Sequence, residues 1–377
     1  YVWYENKYIE SVWWLLSELY KKNLIYKGYT IQPYSPMAGT GLSSHELNQP
    51  GTYRDVMDTT IVAQFRADED SKTKVLALCG LSDLGELPVD FLAWTTTPWT
   101  LPSNTALTVG SKIDYVVVRT KNRYTDSEGF VILAENLLEK QFANGPEHEV
   151  VGRCKGSDLV GMRYIQLINW ATPMEGPEEA FRIIAGDFVT TEDGTGIVHT
   201  APTFGADDAM VAKSAGVPPM LVDDGTGHGV PLVDMQGRIR EGYGPFSGRF
   251  VKNEYYNEGE APEKSVDVEI AIDLKTSGQA FKVEKYSHSY PHCWRTDKPI
   301  LYFPLDSWFV KATDAKERMT ELNKTINWKP ESTGTGRLGK WLEHLYACNL
   351  SRSRFWGIPI QIWRTEDGSE EVCIGYV

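Results

Sequence analysis

The stretch Trp94-Thr95-Thr96-Thr97-Pro98-Trp99-Thr100-Leu101-Pro102-Ser103-Asn104 organises the chain. An apolar run over 89–94 leads into it and predicts a buried strand. Three threonines follow, then two prolines that lack an amide donor and fix φ, so a rigid loop is expected at the strand end. The exposed hydroxyls expected of Thr95, Thr96, Thr97 and Thr100, with the Asn104 amide, gather neutral donors and acceptors in one place. That chemistry suits a polar, uncharged group such as an ester carbonyl or a ribose hydroxyl. A β-turn whose threonines satisfy their own backbone explains the same residue types equally well.

A second stretch decides between these readings. It runs Gly194-Thr195-Gly196-Ile197-Val198-His199-Thr200-Ala201-Pro202-Thr203-Phe204-Gly205-Ala206-Asp207-Asp208. A glycine turn opens a short strand carrying His199; the chain turns at Pro202 and Gly205, and a helix starts at Asp207 or Asp208. Together the two stretches resemble the editing domain inserted in class I aminoacyl-tRNA synthetases, in the form of the isoleucyl branch. Valyl and leucyl relatives have an arginine before the proline and an acidic residue after it, where this chain has Thr97 and Trp99. The resemblance covers nearly the whole chain. It implies an α+β fold: a β-barrel-rich editing domain with a few helices, between helical and ribbon-like connective segments of the synthetase core. The expected division is 1–51, 52–287 and 288–377.

Composition agrees with an ordinary soluble protein: 377 residues, 41% hydrophobic, 24% charged. No apolar run nears the roughly 20 residues needed to span a bilayer, so no membrane partner is expected. The first residue is tyrosine, as in an internal fragment. Cys79, Cys154, Cys293, Cys348 and Cys373 form no Cys-x-x-Cys, as expected of reduced thiols in a cytoplasmic protein. The net charge of −13 argues against sequence-independent nucleic-acid binding. Residues 286–356, however, hold 11 Lys/Arg against 7 Asp/Glu, a net +4, leaving −17 elsewhere. An RNA partner is expected to meet that later segment, or other parts of a longer protein, and to offer only its terminus to the acidic portion.

Along the chain, helical spacing over 5–25 sets Ile9, Val12, Trp13, Leu16, Leu19 and Tyr20 on one face, with Gly28 as the expected stop. Residues 31–50 read as a turn-rich connector. Many relatives carry a zinc Cys-x-x-Cys there; here the matching positions are Ser35 and Ala38, with Cys293 and Thr296 as the other pair. One ligand of four predicts no metal. Short strands are expected at 61–65, 115–119, 130–133, 182–184 and 197–200, with helices at 134–142, 207–215, 312–323 and 337–346. Gly225-Thr-Gly-His-Gly lacks a following Lys-Ser/Thr and reads as a mobile turn, not a phosphate loop. The segment 351–360 looks like the return to the Rossmann core, although Ala347-Cys348 stands where the family has Asp-Trp. Neither His-Ile-Gly-His nor Lys-Met-Ser-Lys-Ser is found. This chain is therefore not expected to activate an amino acid, and the ATP and magnesium of the full-length enzyme are not expected as its cofactors.

An aminoacyl-tRNA is an activated ester, so its hydrolysis needs a positioned water and a polarised carbonyl more than a protein nucleophile. A fixed carboxylate can hold the α-ammonium group beside that carbonyl. The resemblance assigns this to Asp208, at a helix N-terminus where the dipole favours an anion. Asp207 is read as the N-cap, and residue types alone do not separate the two. The resemblance also places Thr97 and Asn104 in the hydrolytic step, Thr95 and Thr96 on the substrate backbone and terminal nucleotide, and Trp99, Thr100 and His199 in the pocket wall. The implied substrate is valine esterified to the 3′ end of the tRNA for isoleucine, with valyl-adenylate as a second candidate and isoleucine excluded by size. One methylene is worth about 1–3 kcal/mol of discrimination, for which the isoleucyl enzyme is itself a standard example. A tRNA-positioning module without hydrolysis in isolation is the alternative. A general esterase is disfavoured because no Gly-x-Ser-x-Gly occurs.

Overall fold

The computed structural model describes residues 2, 4–81, 87–351, 357–365 and 368–376. The chain divides into two compact units, one formed by Tyr1–Thr30 with Leu305–Val377, the other by Ile31–Pro304. Residues 52 and 287 both fall inside the second unit, the first just before the strand Tyr53–Arg66 and the second within the strand Ala280–Pro291.

The larger unit is built on a curled, nine-stranded mixed sheet of half-barrel form. Its strands are β1 (Tyr53–Arg66), β2 (Val89–Thr95), β3 (Ala106–Val109), β4 (Asp114–Lys121), β5 (Glu128–Ala134), β6 (His148–Lys155), β7 (Arg182–Ala185), β8 (Ile197–Thr200) and β9 (Ala280–Pro291). The main path runs β6-β4-β5-β2-β8-β3-β7; β1 pairs with β2, and β9 pairs with β1. The strands expected from sequence all fall within these elements.

β2 sets the position of the site. One edge pairs antiparallel with β1, from Ile61 opposite Thr95 to Arg66 opposite Asp90. The other edge changes partner midway. Val89 to Phe91 lie parallel to Phe130 to Ile132 of β5, and Trp94 lies opposite Val198 of β8. β5 and β8 thus part where the threonines begin. The core beneath follows the two-residue period of a strand: Val116 and Val118 of β4, and Val131 and Leu133 of β5, pack with Val62, Leu92, Phe142 and Phe281.

Helices α1 (Glu69–Leu78), α2 (Ala206–Ala215) and α3 (Val266–Thr276) pack within this unit. The first and third were not expected, although each has a legible cap. Asp68 accepts from the Ser71 amide at 2.8 Å, and the Ser265 hydroxyl accepts from Val268 at 3.4 Å. The expected helix at 134–142 is a 3₁₀ turn, Glu135–Leu137, running into a short α-helix, Leu138–Phe142.

In the other unit, the first helix spans Asn6–Lys21 and stops well before Gly28, which lies in the strand Ile25–Ser35. The stop is Asn23, left-handed at φ 56°, a conformation asparagine tolerates. Residues 31–50 belong to the larger unit, and much of that stretch is ordered too: beyond the strand, Ser43 and Glu46 close a reciprocal cap on the short helix Ser44–Leu47. The expected helix at 312–323 is a 3₁₀ turn, Ala312–Ala315, followed by Lys316–Thr325; that at 337–346 is Leu338–Glu343. The return motif at 351–360 falls largely outside the described residues. No described helix is long and apolar enough to cross a membrane.

Candidate functional site

After β2 the chain does not form an open loop. Pro98–Ser103 winds into a 3₁₀ helix despite its two prolines. Pro98 occupies the first position, where no amide is needed, and the short turn leaves room for Pro102. Successive third residues overlie one another in such a helix, so Thr97 and Thr100 share one side. The hydroxyls are less exposed than expected: Thr95 and Thr100 are buried, and Thr96 and Thr97 are half-buried. Thr95 Oγ1 accepts from the Thr97 amide at 3.1 Å, and Thr100 Oγ1 donates to the Thr97 carbonyl at 2.8 Å. Thr97 Oγ1 has only long contacts, 3.3 Å to Thr95 and 3.5 Å to Thr100, so it is held more loosely than the hydroxyls of Thr95 and Thr100.

Opposite stands the start of α2. Its N-cap is Gly205, not Asp207, and Asp207 is exposed. Asp208, in the first turn, folds back so that Oδ2 accepts from the Ala201 amide at 2.8 Å. A Cβ at Gly205 would lie 2.8 Å from the Asp208 carboxyl, so glycine is what permits that fold-back. Burial pushes Asp208 up from 3.8 to about 6, against the Ala201 hydrogen bond, which lowers it. The carboxylate is therefore still mostly ionised at neutral pH, but at a cost in solvation that the helix dipole does not cancel.

Both stretches line one cleft of about 370 Å³, with Thr95, Thr96, Thr97, Thr100, His199 and Asp208 all in its wall. The cleft sits beside the end of β2 and is lined by Trp94 and Thr95 of β2 and Ile197 to His199 of β8. Its floor runs along 194–198, where Gly196 (φ 74°) passes Ala134 so closely that a Cβ would come within 2.3 Å of it. Trp94, Phe188 and Phe204 supply apolar surface.

Two expected site residues are not in the wall. Trp99 is buried behind Phe204, edge-on with ring centroids 5.0 Å apart. The winding of the 3₁₀ helix turns it away from the cleft. Asn104 lies behind His199, with its amide fully used. Nδ2 donates to the Ala106 carbonyl and to His199 Nδ1, both at 2.8 Å, while Oδ1 accepts from the Tyr164 hydroxyl at 2.5 Å. These partners fix which way the amide points. Because Asn104 donates to Nδ1, that nitrogen carries the lone pair and Nε2 carries the hydrogen, directed at Thr100 Oγ1 at 3.0 Å. Burial holds His199 at about 3, so the ring is neutral. Neither nitrogen offers a free lone pair to the cleft, and His199 is a wall, not a base.

Sequence reasoning missed Asp193 and Tyr164. Asp193 lines the cleft and is kept ionised by Lys140, with a further hydrogen bond from Tyr286 at 3.1 Å. Its signal was its place immediately before the Gly194-Thr-Gly turn. Tyr164 is buried and carries no local signal.

The positions matching a zinc site hold a different kind of junction. Cys293 is fully buried with Leu42, Leu47 and Ile300, and Ala38 packs on them. Burial raises its thiol, but the hydroxyls of Thr296 and Ser35 and nearby amides outweigh this and leave it lowered. One thiol, two hydroxyls and a methyl are not a zinc donor set. All five cysteines are unpaired.

The family "tRNA synthetases class I (I, L, M and V)" matches residues 1–377. The chain is 56% identical over 405 residues to an isoleucine–tRNA ligase of Bacteroides fragilis, covering 99% of this chain and 34% of that protein. An isoleucine–tRNA ligase of Cytophaga hutchinsonii is 56% identical over 402 residues, 100% of this chain and 35% of that one. One of Clostridium tetani is 41% identical over 377 residues, 100% and 31% respectively. The chain thus spans about a third of the length of these curated relatives. Among solved structures, GlLeuRS-CP1 aligns with 60% of this chain and 98% of its own at 16% identity and a TM-score of 0.42.

Proposed function

The chain belongs to the class I tRNA synthetases, and on that premise we propose that its larger unit hydrolyses valine from mischarged tRNA for isoleucine. The carrying observation is that a carboxylate and a cluster of hydroxyls, more than a hundred residues apart in sequence, face one another across a single cleft. Asp208 Oδ1 takes the α-ammonium group of the ester while Oδ2 stays on the Ala201 amide. The Thr97 hydroxyl, held only by long contacts, polarises the ester carbonyl or holds the attacking water. Thr95 and Thr96 border the acyl group and the terminal ribose. His199, rigidly neutral, limits side-chain size. Asn104 serves by orienting His199, not by touching the ester.

No nucleophile of the chain is consumed and no cofactor is required, because the ester is already activated. The partners are the 3′ end of the tRNA and the rest of the synthetase, in the cytoplasm. The test is release of valine from valyl-tRNA by this chain and by Asp208→Ala. The substitution should abolish release while leaving the fold intact. Unchanged release would remove Asp208 from its role. No release by the parent chain, with tRNA still bound, would favour a positioning module instead.

A further inference from the structure

Three buried or half-buried charged side chains and a histidine lie behind the threonine helix, and none of them lines the cleft. Asp267, in the first turn of α3, accepts from the Trp99 amide with Oδ1 at 2.8 Å. Its Oδ2 lies 3.4 Å from Lys252 Nζ. Lys252 in turn lies 3.5 Å from Asp58 Oδ2 on β1, which contacts His288 Nε2 on β9 at 3.0 Å. The ammonium also sits over the Tyr290 ring, 5.1 Å from its centroid. The side chains of Lys252 and Asp267 are 6% and 7% exposed.

A buried ion pair is weak evidence for stability, because removing both charges from water offsets most of their attraction. The location of this one indicates another role. At the start of the 3₁₀ helix Pro98 has no amide, the Thr100 amide is bonded to Thr97 at 3.0 Å, and Thr97 supplies no side-chain cap. The Trp99 amide is the orphan donor of that turn, and Asp267 supplies its acceptor from 168 residues away.

We infer that Asp267, held in place by Lys252, is a positioning residue that anchors the Trp99 amide and so fixes the threonine hydroxyls against the substrate ester. Burial pushes Asp267 up to about 6, while Lys252 and the Trp99 amide draw it down. Burial also draws Lys252 down, but the carboxylates of Asp267 and Asp58 outweigh that and leave it above the ordinary lysine value. Their mutual attraction works toward the charged form of each member, and an ionised acceptor makes the stronger hydrogen bond. Loss of the anchor leaves Thr97 and Thr100 on a turn with a free first amide, and small displacements of positioning groups cost large factors in rate.

This inference rests on the hydrolytic reading above, so its test has one arm that does not use activity. Single removal of either charge strands the other, so two uncharged pairs are compared: D267N/K252M, which keeps an acceptor for the Trp99 amide, and D267L/K252M, which does not. Steady-state release of valine from valyl-tRNA should fall roughly tenfold to a hundredfold in kcat for D267L/K252M, with KM within about threefold of the parent. D267N/K252M should stay within about threefold in both. Hydrogen exchange of the Trp99 amide should remain slow in D267N/K252M and become fast in D267L/K252M. Equal kcat in the two pairs, or equal exchange, overturns the anchor, because a merely structural role affects both alike. If the parent releases no valine, the exchange arm still decides the anchor, and the hydrolytic reading is what fails.

Discussion

Replacing Asp208 by Asn should make the empty protein more stable at neutral pH while abolishing the valine release proposed for it. Burial holds the carboxyl at about 6 instead of 3.8. A tenfold change in proton affinity is worth about 1.36 kcal/mol, so ionising Asp208 at pH 7 costs about 3 kcal/mol. That figure is an upper bound, because the residue is only half-buried and solvent screens part of the effect. The sign follows from which state holds the proton more tightly. A folded-state value above the unfolded one gives a stabilising contribution present below about 3.8 and lost as pH rises through about 6. Asparagine has no charge to bury, yet its Oδ1 still accepts from Ala201. Thermal unfolding should therefore place Asp208→Asn roughly 1–5 °C above the parent at pH 7 to 8, at about 1.3–1.7 °C per kcal/mol for a unit or chain of this size. The gain should shrink steadily as pH falls from 6 toward 4. A variant less stable than the parent at pH 7, or a gain indifferent to pH, would refute the view that this carboxylate is kept destabilised until an ammonium group arrives.

Truncation of the wall has a separate signature. His199→Ala should open the cleft enough for isoleucyl-tRNA to be hydrolysed at least tenfold faster than by the parent, the scale of one methylene of lost exclusion; continued rejection would mean another residue sets the limit. Tyr164→Phe leaves Asn104 Oδ1 buried without its donor, which costs about 1–3 kcal/mol in denaturant unfolding. It also frees the amide to reverse, so nitrogen NMR of His199 should show the Nε2-protonated ring giving way to a mixture of tautomers; an unchanged spectrum would disconnect Tyr164 from the wall.

The two stretches that carry the site were legible because each is local. Strand, threonines and prolines are contiguous, and so are the Gly-Thr-Gly turn, His199 and the acidic helix start. Trp99 falls outside the cleft wall because, with three residues per turn, Thr97 and Thr100 share one side and Trp99 rotates away; Asn104 lies past the helix end, where Ala106, His199 and Tyr164 take up its amide. Tyr164, Lys252 and Asp267 escaped notice because nothing in their own segments marks them; their meaning comes from partners 60, 15 and 168 residues away. The overlooked helices α1 and α3 had readable caps in Asp68 and Ser265, masked by the run of strands around them. Residues 35–38 and 293–296 show the reverse case: their residue types argued only against a zinc donor set, and packing alone revealed the apolar cluster that Ala38 and Cys293 join.

The handover of β2 from β5 to β8 has a bearing on how such a protein can diverge. A hollow produced by backbone connectivity belongs to the scaffold and does not depend on any one side chain having been trimmed. Its gauge can therefore be recut by exchanging a few rim residues, with the hydrogen-bonded frame around it left alone. A lineage obliged to reject a differently shaped amino acid would need new upholstery, not a new building.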